Sequence, residues 1–116
     1  MEPKVIFHID ELPKWRLLLN NAANLAASYK GKVPGPAIEV VANSEAVKGY
    51  LPEYSAAYFS DLEALAWQGI RFAACNHSMR GLNIAADQLP AFVTVVPAGV
   101  RELADRQMEG YAYLKP

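Results

Sequence analysis

Short apolar runs alternate with segments of helical periodicity along the whole chain, and this alternation restricts the fold more than any other feature. The strand-like runs are Lys4–Ile9, Ala37–Ala42, Ile70–Cys75, Phe92–Val96 and Gly110–Leu114. Lys4–Ile9 is apolar at nearly every position, which is typical of a strand buried on both faces of a parallel sheet. The order β-α-β-α-β-α-β-α-β therefore predicts an α/β fold with a five-stranded, mostly parallel sheet that helices cover on both faces.

Between the predicted strands, apolar residues recur at intervals of three and four, which indicates amphipathic helices. We expect helices over Trp15–Tyr29, Pro52–Trp67, about Ser78–Ala85 and Val100–Met108, with a short segment over Glu45–Gly49. In the last helix, this spacing predicts that Val100, Leu103, Ala104 and Met108 point toward the sheet. The connections are short, so the sequence indicates one domain over residues 1–116.

Composition argues against several classes of function. Of the 116 residues, 20% are charged and the net charge is -1, so the chain lacks the basic surface of a nucleic-acid-binding protein. No apolar run approaches the length of about 20 residues that a membrane-spanning helix needs, so we expect no membrane partner. The 53% apolar content and the near-zero charge fit a homo-oligomer. A single cysteine and the lack of a secretory leader pattern predict a cytoplasmic protein.

Polar residues follow the predicted strands at their carboxyl ends, where ligands gather in open parallel sheets. They are His8 and Asp10 after the first strand, Asn43 after the second, Cys75, Asn76 and His77 at the third, and Pro97 and Gly99 after the fourth. Because parallel strands all point the same way, we expect these residues to share one edge of the sheet. This edge is the candidate site.

Cys75 is the only cysteine, and it stands where a buried strand meets a helix. The N–H groups and the positive dipole end at a helix amino terminus favour a thiolate, and Arg80 would add a countercharge if the helix turns it back. Thiolates attack sulfur, so we expect a reachable and partly ionised nucleophile at this position. The residue pattern alone leaves open the alternative that Cys75 is a small core residue.

Both histidines of the predicted edge have a structural alternative. His8 and His77 fit a proton relay, but they fit equally a packed histidine at a strand end and a solvated histidine in a turn. Together with Cys75 and Asp10 they offer zinc-ligating atoms, although their spacing is not a usual zinc pattern. We therefore expect neither a metal nor a cofactor.

The two asparagines and the glycine of this edge are also open to two interpretations. Asn43 and Asn76 fit ligand binding, while turn formation and helix capping explain them equally well. Gly99 fits an anion-binding turn at the last helix, but no nucleotide-binding glycine motif accompanies it.

The segment Ile70–Gly81 resembles the DsrE/DsrF-like family, which includes proteins of intracellular sulfur oxidation and sulfur relay. Three further segments resemble the stand-alone branch of this family. The first is residues 8–24, which include an asparagine-rich helix. The second is the strand end Val40–Asn43, and the third is the turn Val96–Val100. Their order and spacing extend the resemblance over nearly the whole chain. It implies a small three-layer α/β/α sandwich that assembles as a trimer or hexamer.

In the sulfur-relay members of that family, a cysteine at the position of Cys75 accepts sulfane sulfur as a persulfide and passes it on. The resemblance implies this role for Cys75 alone. Arg80 and Gly81 resemble an arginine-glycine pair of the relay members, but they lie slightly closer to the cysteine. The resemblance therefore favours a sulfur carrier or sulfurtransferase whose donor and acceptor are proteins or small thiols.

Two alternatives to sulfur transfer stay open. One is a non-enzymatic, homo-oligomeric module that binds a small ligand in the same strand-end pocket, where Cys75 only lines the wall. The other is a purely structural homo-oligomer.

Overall fold

The computed structural model of the protein describes residues 2–116, and Met1 of the predicted domain lies outside the described residues. Its centre is a five-stranded sheet in the order β4-β3-β2-β1-β5. The strands are β1 (Lys4–Ile9), β2 (Ala37–Ala42), β3 (Arg71–Cys75), β4 (Val93–Val96) and β5 (Ala112–Leu114). Every pairing is parallel, which confirms the predicted α/β class and its sheet.

Five helices and three short 3-10 segments connect the strands. The helices are α1 (Trp15–Ser28), α2 (Pro52–Ser55), α3 (Phe59–Trp67), α4 (Asn76–Gly81) and α5 (Gly99–Met108). The 3-10 segments are Leu12–Lys14, Ser44–Tyr50 and Ala86–Gln88. The helix predicted over Ser78–Ala85 begins and ends earlier in the structure. Helix α4 starts directly after Cys75, and the chain leaves helical geometry by Asn83, where φ is +56°.

The predicted helix over Pro52–Trp67 is two helices, because a tertiary contact interrupts it. Tyr58 has φ -135° and ψ 6°, outside the helical region. Its hydroxyl donates to the Gly49 carbonyl oxygen at 2.7 Å, and its ring stacks on Trp15 with the ring centroids 6.0 Å apart. These contacts outweigh the small helix preference that the local sequence supplies.

The two faces of the sheet are covered unequally. The connections from β1 to β2, β3 and β4 step in one direction across the sheet, and the last connection returns to β5 beside β1. Since crossovers between parallel strands are right-handed, the returning helix α5 must lie on the opposite face from α1, α3 and α4. The larger core cluster packs under α1, α3 and α4, and a smaller one of Ile6, Val41, Ala73, Val96 and Leu103 lies under α5.

The prediction for the inner face of α5 was wrong at three of its four residues. Leu103 is buried, but Val100 is 68% exposed, Met108 is 78% exposed, and Ala104 also faces solvent. The helix is turned in this way because the sheet beneath it carries charged side chains, which attract the charged side of α5. The spacing of the apolar residues in α5 does not predict this attraction.

Glu39 is the centre of that charged contact, at the middle of β2 with only 2% of its side chain exposed. Its Oε1 lies 2.8 Å from Arg106 Nε of α5, and its Oε2 lies 3.5 Å from Arg71 Nε of β3. Glu102 of α5 completes the cluster, 3.2 Å from Arg106 Nε. The second half of α5 is therefore held on the sheet by buried and half-buried charges, with Leu103 as its main apolar contact.

The pKa of Glu39 is raised to about 7, first by burial and then by a hydrogen bond to, and repulsion from, Glu102, while Arg106 and Arg71 oppose the shift. The folded protein thus retains a proton that the unfolded chain releases near the ordinary pKa of 4.5. Because the folded state binds more protons in this range, the free energy of unfolding should fall as pH rises from 4.5 to about 7.

We predict that Glu39→Gln removes this decline, because an amide of the same shape carries no titrating proton. Relative to wild type, the variant should gain roughly 3 kcal/mol or less between pH 5 and pH 8, measured by chemical denaturation. Glu63→Gln, at an exposed position of α3, is the matched control and should follow wild type. Equal pH slopes for wild type and Glu39→Gln would contradict the assignment.

Candidate functional site

The topology of the sheet predicts a ligand crevice between the carboxyl ends of β3 and β4. The chain leaves β3 toward α4 on the face of the larger core and leaves β4 toward α5 on the other face. Adjacent strands whose connections diverge in this way form the usual ligand site of an open parallel sheet. Cys75 is the last residue of β3, paired in register with Val96 of β4, so the only cysteine lies at this crevice.

Cys75 is the N-cap residue of α4, and its sulfur takes the place of the usual capping oxygen. The Ser78 backbone N–H donates to Cys75 Sγ at 3.4 Å. Ser78 Oγ accepts the backbone N–H of Ser44 at 2.7 Å, which leaves the hydroxyl proton free to point at the sulfur. Ser44 has a φ of +53°, a costly conformation for a serine, and its N–H fixes the Ser78 side chain.

Gly99 brings the amino terminus of α5 against Cys75. A Cβ atom at Gly99 would lie 3.3 Å from the Cβ atoms of Cys75 and Asn43 and from Val41 Cγ1, closer than ordinary van der Waals contact. Glycine thus favours the close approach of α5, and the Gly99 N–H is among the groups that lower the pKa of Cys75. The sequence had marked Gly99 as a possible anion-binding turn, and the structure places it at the thiol.

The pKa of the Cys75 thiol is lowered from its ordinary value of 9.0, although burial, the largest single influence, raises it. The hydrogen bond from the Ser78 side chain and those from the backbone N–H groups of Gly99, Ser78 and His77 together outweigh burial. Donors fixed around a sulfur favour its anion, as they do at other reactive cysteines. The crevice can therefore hold a thiolate.

The thiol is less open than the sequence predicted. Only 5% of Cys75 is exposed, so a reactant must reach it past the rim of the crevice. The residues around that rim are polar or small: His77 and Ser44 are exposed, as is Pro97 at the end of β4. The interpretation of Cys75 as a core residue explains its burial but not the ring of hydrogen-bond donors.

His8 and Asn43 are brought together on the α5 side of the same edge. His8 Nε2 lies 3.0 Å from Asn43 Oδ1, and His8 Nδ1 lies 2.7 Å from the hydroxyl of Tyr113 in β5. Asn43 is the N-cap residue of the segment Ser44–Tyr50, but its side chain makes no capping hydrogen bond there. The side chain of Asn43 therefore serves the histidine and not the turn.

The side chains of the other predicted residues are not among the donors to the sulfur. Asn76 is half-buried at the first position of α4, and its side chain makes no hydrogen bond to any of residues 2–116. His77 is exposed and contributes its backbone N–H rather than its ring. Arg80 is exposed, forms no ion pair within the part of the chain that the structure describes, and is not among the groups that shift the pKa of Cys75.

Sequence reasoning missed Ser78 and Tyr113 as members of this site. Ser78 follows Cys75 at the spacing of a helix cap and its third residue, so a capping argument with sulfur as the acceptor would have found it. Tyr113 lies 105 residues from His8, and no local sequence pattern predicts a contact at that separation. Across residues 2–116, no three histidine, cysteine, aspartate or glutamate side chains are arranged to hold a metal ion.

Comparisons with known proteins agree with this architecture. The profile of the DsrE/DsrF-like family matches residues 6–116. The chain belongs to this family. The resemblance seen in Ile70–Gly81 and the three other segments is thereby confirmed.

A solved member of this fold is similar over the full length. A protein of unknown function from Methanobacterium thermoautotrophicum is 36% identical, with a TM-score of 0.87, over 99% of this chain and 100% of that one. Among curated proteins no match was found. None of the helices within residues 2–116 has the length and apolar character needed to cross a membrane.

We predict that Ser78→Ala and Gly99→Ala raise the pH at which half of Cys75 reacts with iodoacetamide. The first removes a donor to the anion, and the second pushes the Gly99 N–H away from the sulfur. A hydrogen bond to a charged group is worth about 1.5–3 kcal/mol, so each midpoint should rise by about one to two pH units. Ser60→Ala, at an exposed position of α3, is the control; a midpoint for Ser78→Ala equal to that control would refute the role of the hydroxyl.

Proposed function

We propose that the protein is a sulfur carrier or sulfurtransferase of the DsrE/DsrF-like family, in which Cys75 accepts sulfane sulfur as a persulfide and passes it to an acceptor thiol. The observation that carries this proposal is the 3.4 Å hydrogen bond from the Ser78 N–H to Cys75 Sγ, with Gly99 packed against the cysteine where the connections after β3 and β4 diverge. A family associated with sulfur relay and a single cysteine, Cys75, support the same role.

The proposed reaction moves one neutral sulfur atom between thiolates. The Cys75 thiolate attacks the outer sulfur of a donor persulfide, the S–S bond of the donor breaks, and the donor leaves as a thiolate. An acceptor thiolate then attacks the outer sulfur on Cys75, which returns to the thiolate state. The chain has no second cysteine, so the acceptor must be another molecule, either a protein or a small thiol.

The neighbouring residues have separate parts in this proposal. The N–H groups of His77, Ser78 and Gly99 hold the anion, and the Ser78 hydroxyl adds a fourth donor. His8 and His77 are candidates for moving protons to and from the donor and acceptor thiols. Arg80, exposed on α4, would act only on a reactant that approaches from outside.

We also propose that the protein acts as a homo-oligomer, a trimer or hexamer, as its family resemblance implies. Val100 and Met108 on the outer side of α5 are 68% and 78% exposed, and Trp67 at the end of α3 is 85% exposed. Large apolar side chains are stabilised when another subunit covers them.

The alternative function is a binding module for a small ligand, and the low exposure of Cys75 favours it. In that case the crevice holds a small anion on the same N–H groups, and the thiol only lines it. Such a thiol would react with alkylating reagents slowly at every pH, whereas a carrier thiol reacts readily below its ordinary pKa.

We predict that incubation with inorganic polysulfide adds the mass of one sulfur atom to the wild-type protein, measured by intact-mass spectrometry. Cys75→Ser should add none, and treatment of the loaded protein with cyanide should remove the added mass as thiocyanate. The Asn76→Ala variant, whose side chain has no hydrogen bond to any described residue, should load like wild type. An unloaded wild type, or equal loading of Cys75→Ser, would rule out the carrier function.

A further inference from the structure

A chain of hydrogen bonds runs from the free edge of the sheet to the crevice, and its direction is fixed by chemistry. Asn43 Oδ1 can only accept, so His8 Nε2 carries the proton in the 3.0 Å contact between them. In the neutral imidazole His8 Nδ1 then has a lone pair, and the Tyr113 hydroxyl donates to it at 2.7 Å. Each member of the chain therefore sets the orientation of the next.

The last group of this chain is the amide nitrogen of Asn43. Its oxygen is engaged by His8, while Nδ2 makes no hydrogen bond to any group within residues 2–116. Ala42 pairs with Ala74 in the parallel register of β2 and β3, so the next residues, Asn43 and Cys75, occupy adjacent positions of neighbouring strands, and the Cβ atom of each lies 3.3 Å from the position that a Gly99 Cβ would take. The free N–H groups of Asn43 are thus available beside the thiol.

The donors around Cys75 are directed at Sγ itself. The Ser78 N–H donates to that atom at 3.4 Å, and the N–H groups of His77 and Gly99 also lower the pKa of the thiol, whereas Asn43 does not. In a persulfide the anionic charge lies on the outer sulfur, about 2 Å beyond Sγ. A donor that lies beyond Sγ would stabilise the charge at this position.

We propose that Asn43 donates an amide N–H to the outer sulfur of the Cys75 persulfide, and that Tyr113, through His8, is the positioning residue that holds the amide in this orientation. This inference rests on the proposed sulfur-carrier function and concerns how the loaded state is held. Asn43 contacts the transferred sulfur, whereas His8 and Tyr113 act through Asn43. Transfer remains the exchange described above, with no further reactant.

The proposal separates two titrations that a purely structural role would move together. Wild-type protein is loaded with inorganic polysulfide, and the outer sulfur is alkylated with iodoacetamide over a range of pH; the unloaded thiol is titrated in the same way. Asn43→Ala should raise the midpoint of the outer sulfur by about one pH unit, roughly a tenfold loss of anion at a given pH, because a donor to the charge is lost. The midpoint of the unloaded thiol should stay that of wild type.

Tyr113→Phe removes a single oxygen from a side chain that is 40% exposed on the edge strand, so its folding is expected to match wild type. Like Asn43→Ala, it should raise the midpoint of the outer sulfur, because the amide is no longer fixed. The expected loss of anion at a given pH is about threefold. Tyr54→Phe is the matched control, at a tyrosine that is 45% exposed on α2, away from the crevice, and it should shift neither midpoint.

The outcomes distinguish this inference from the carrier function. If wild type loads sulfur and both Asn43→Ala and Tyr113→Phe titrate like Tyr54→Phe, the inference is false and the carrier function stands. If Asn43→Ala moves both midpoints equally, Asn43 only supports the fold of the crevice, and the inference is again false. If wild type takes up no sulfur, both the carrier function and this inference fall.

Discussion

The handedness of the connections between parallel strands determines where the chemistry of this protein lies. Three crossovers advance from β1 to β4 on one face, so the fourth, which returns to β5, carries α5 on the other face. The connections after β3 and β4 therefore diverge, and the end of β3 is left between the first residues of α4 and of α5. Cys75 occupies this position, where the Ser78 N–H of α4 donates to its sulfur and Gly99 of α5 packs against it.

The closeness of α5 to the thiol depends on how α5 is attached to the sheet. At its amino terminus Gly99 has no side chain to hold the helix away, and one turn later Leu103 is buried in the smaller core. Its second half is held by Arg106 and Glu102 around the buried carboxyl of Glu39. Because these charges face the sheet, Val100 and Met108 of α5 lie in solvent, unlike the apolar residues of an ordinary surface helix.

Much of the fold was predictable because parallel strands leave a strong local pattern. The five strands appear in the structure within two residues of the runs seen in the sequence. The three central strands β1, β2 and β3 are largely buried, so nearly all of their residues are apolar. The position of the cysteine at the sheet edge follows from the same pattern. The break at Tyr58 and the orientation of α5 were not predictable, because each depends on a contact with a distant element, Gly49 in one case and Glu39 in the other.

In the site, as in the fold, local sequence patterns predicted single residues but not the contacts between residues that are far apart in the chain. Cys75 and Gly99 could be named because each stands at a strand end or a turn, and Ser78 was within reach of a capping argument. The link from Tyr113 through His8 to Asn43 joins three strand ends that are far apart in sequence. Only the folded arrangement shows that Asn43 serves the histidine and that Arg80 stands apart from the thiol.

The central claim is that the fold presents Cys75 as a thiolate in spite of its burial. The most direct measurement is a pH titration of the ultraviolet absorbance of the thiolate, with the Cys75→Ser protein subtracted to remove the tyrosine signal. A midpoint below the ordinary value of 9.0 is the result that the structure predicts. A midpoint at or above 9.0 would show that burial outweighs the donors, and would contradict the account.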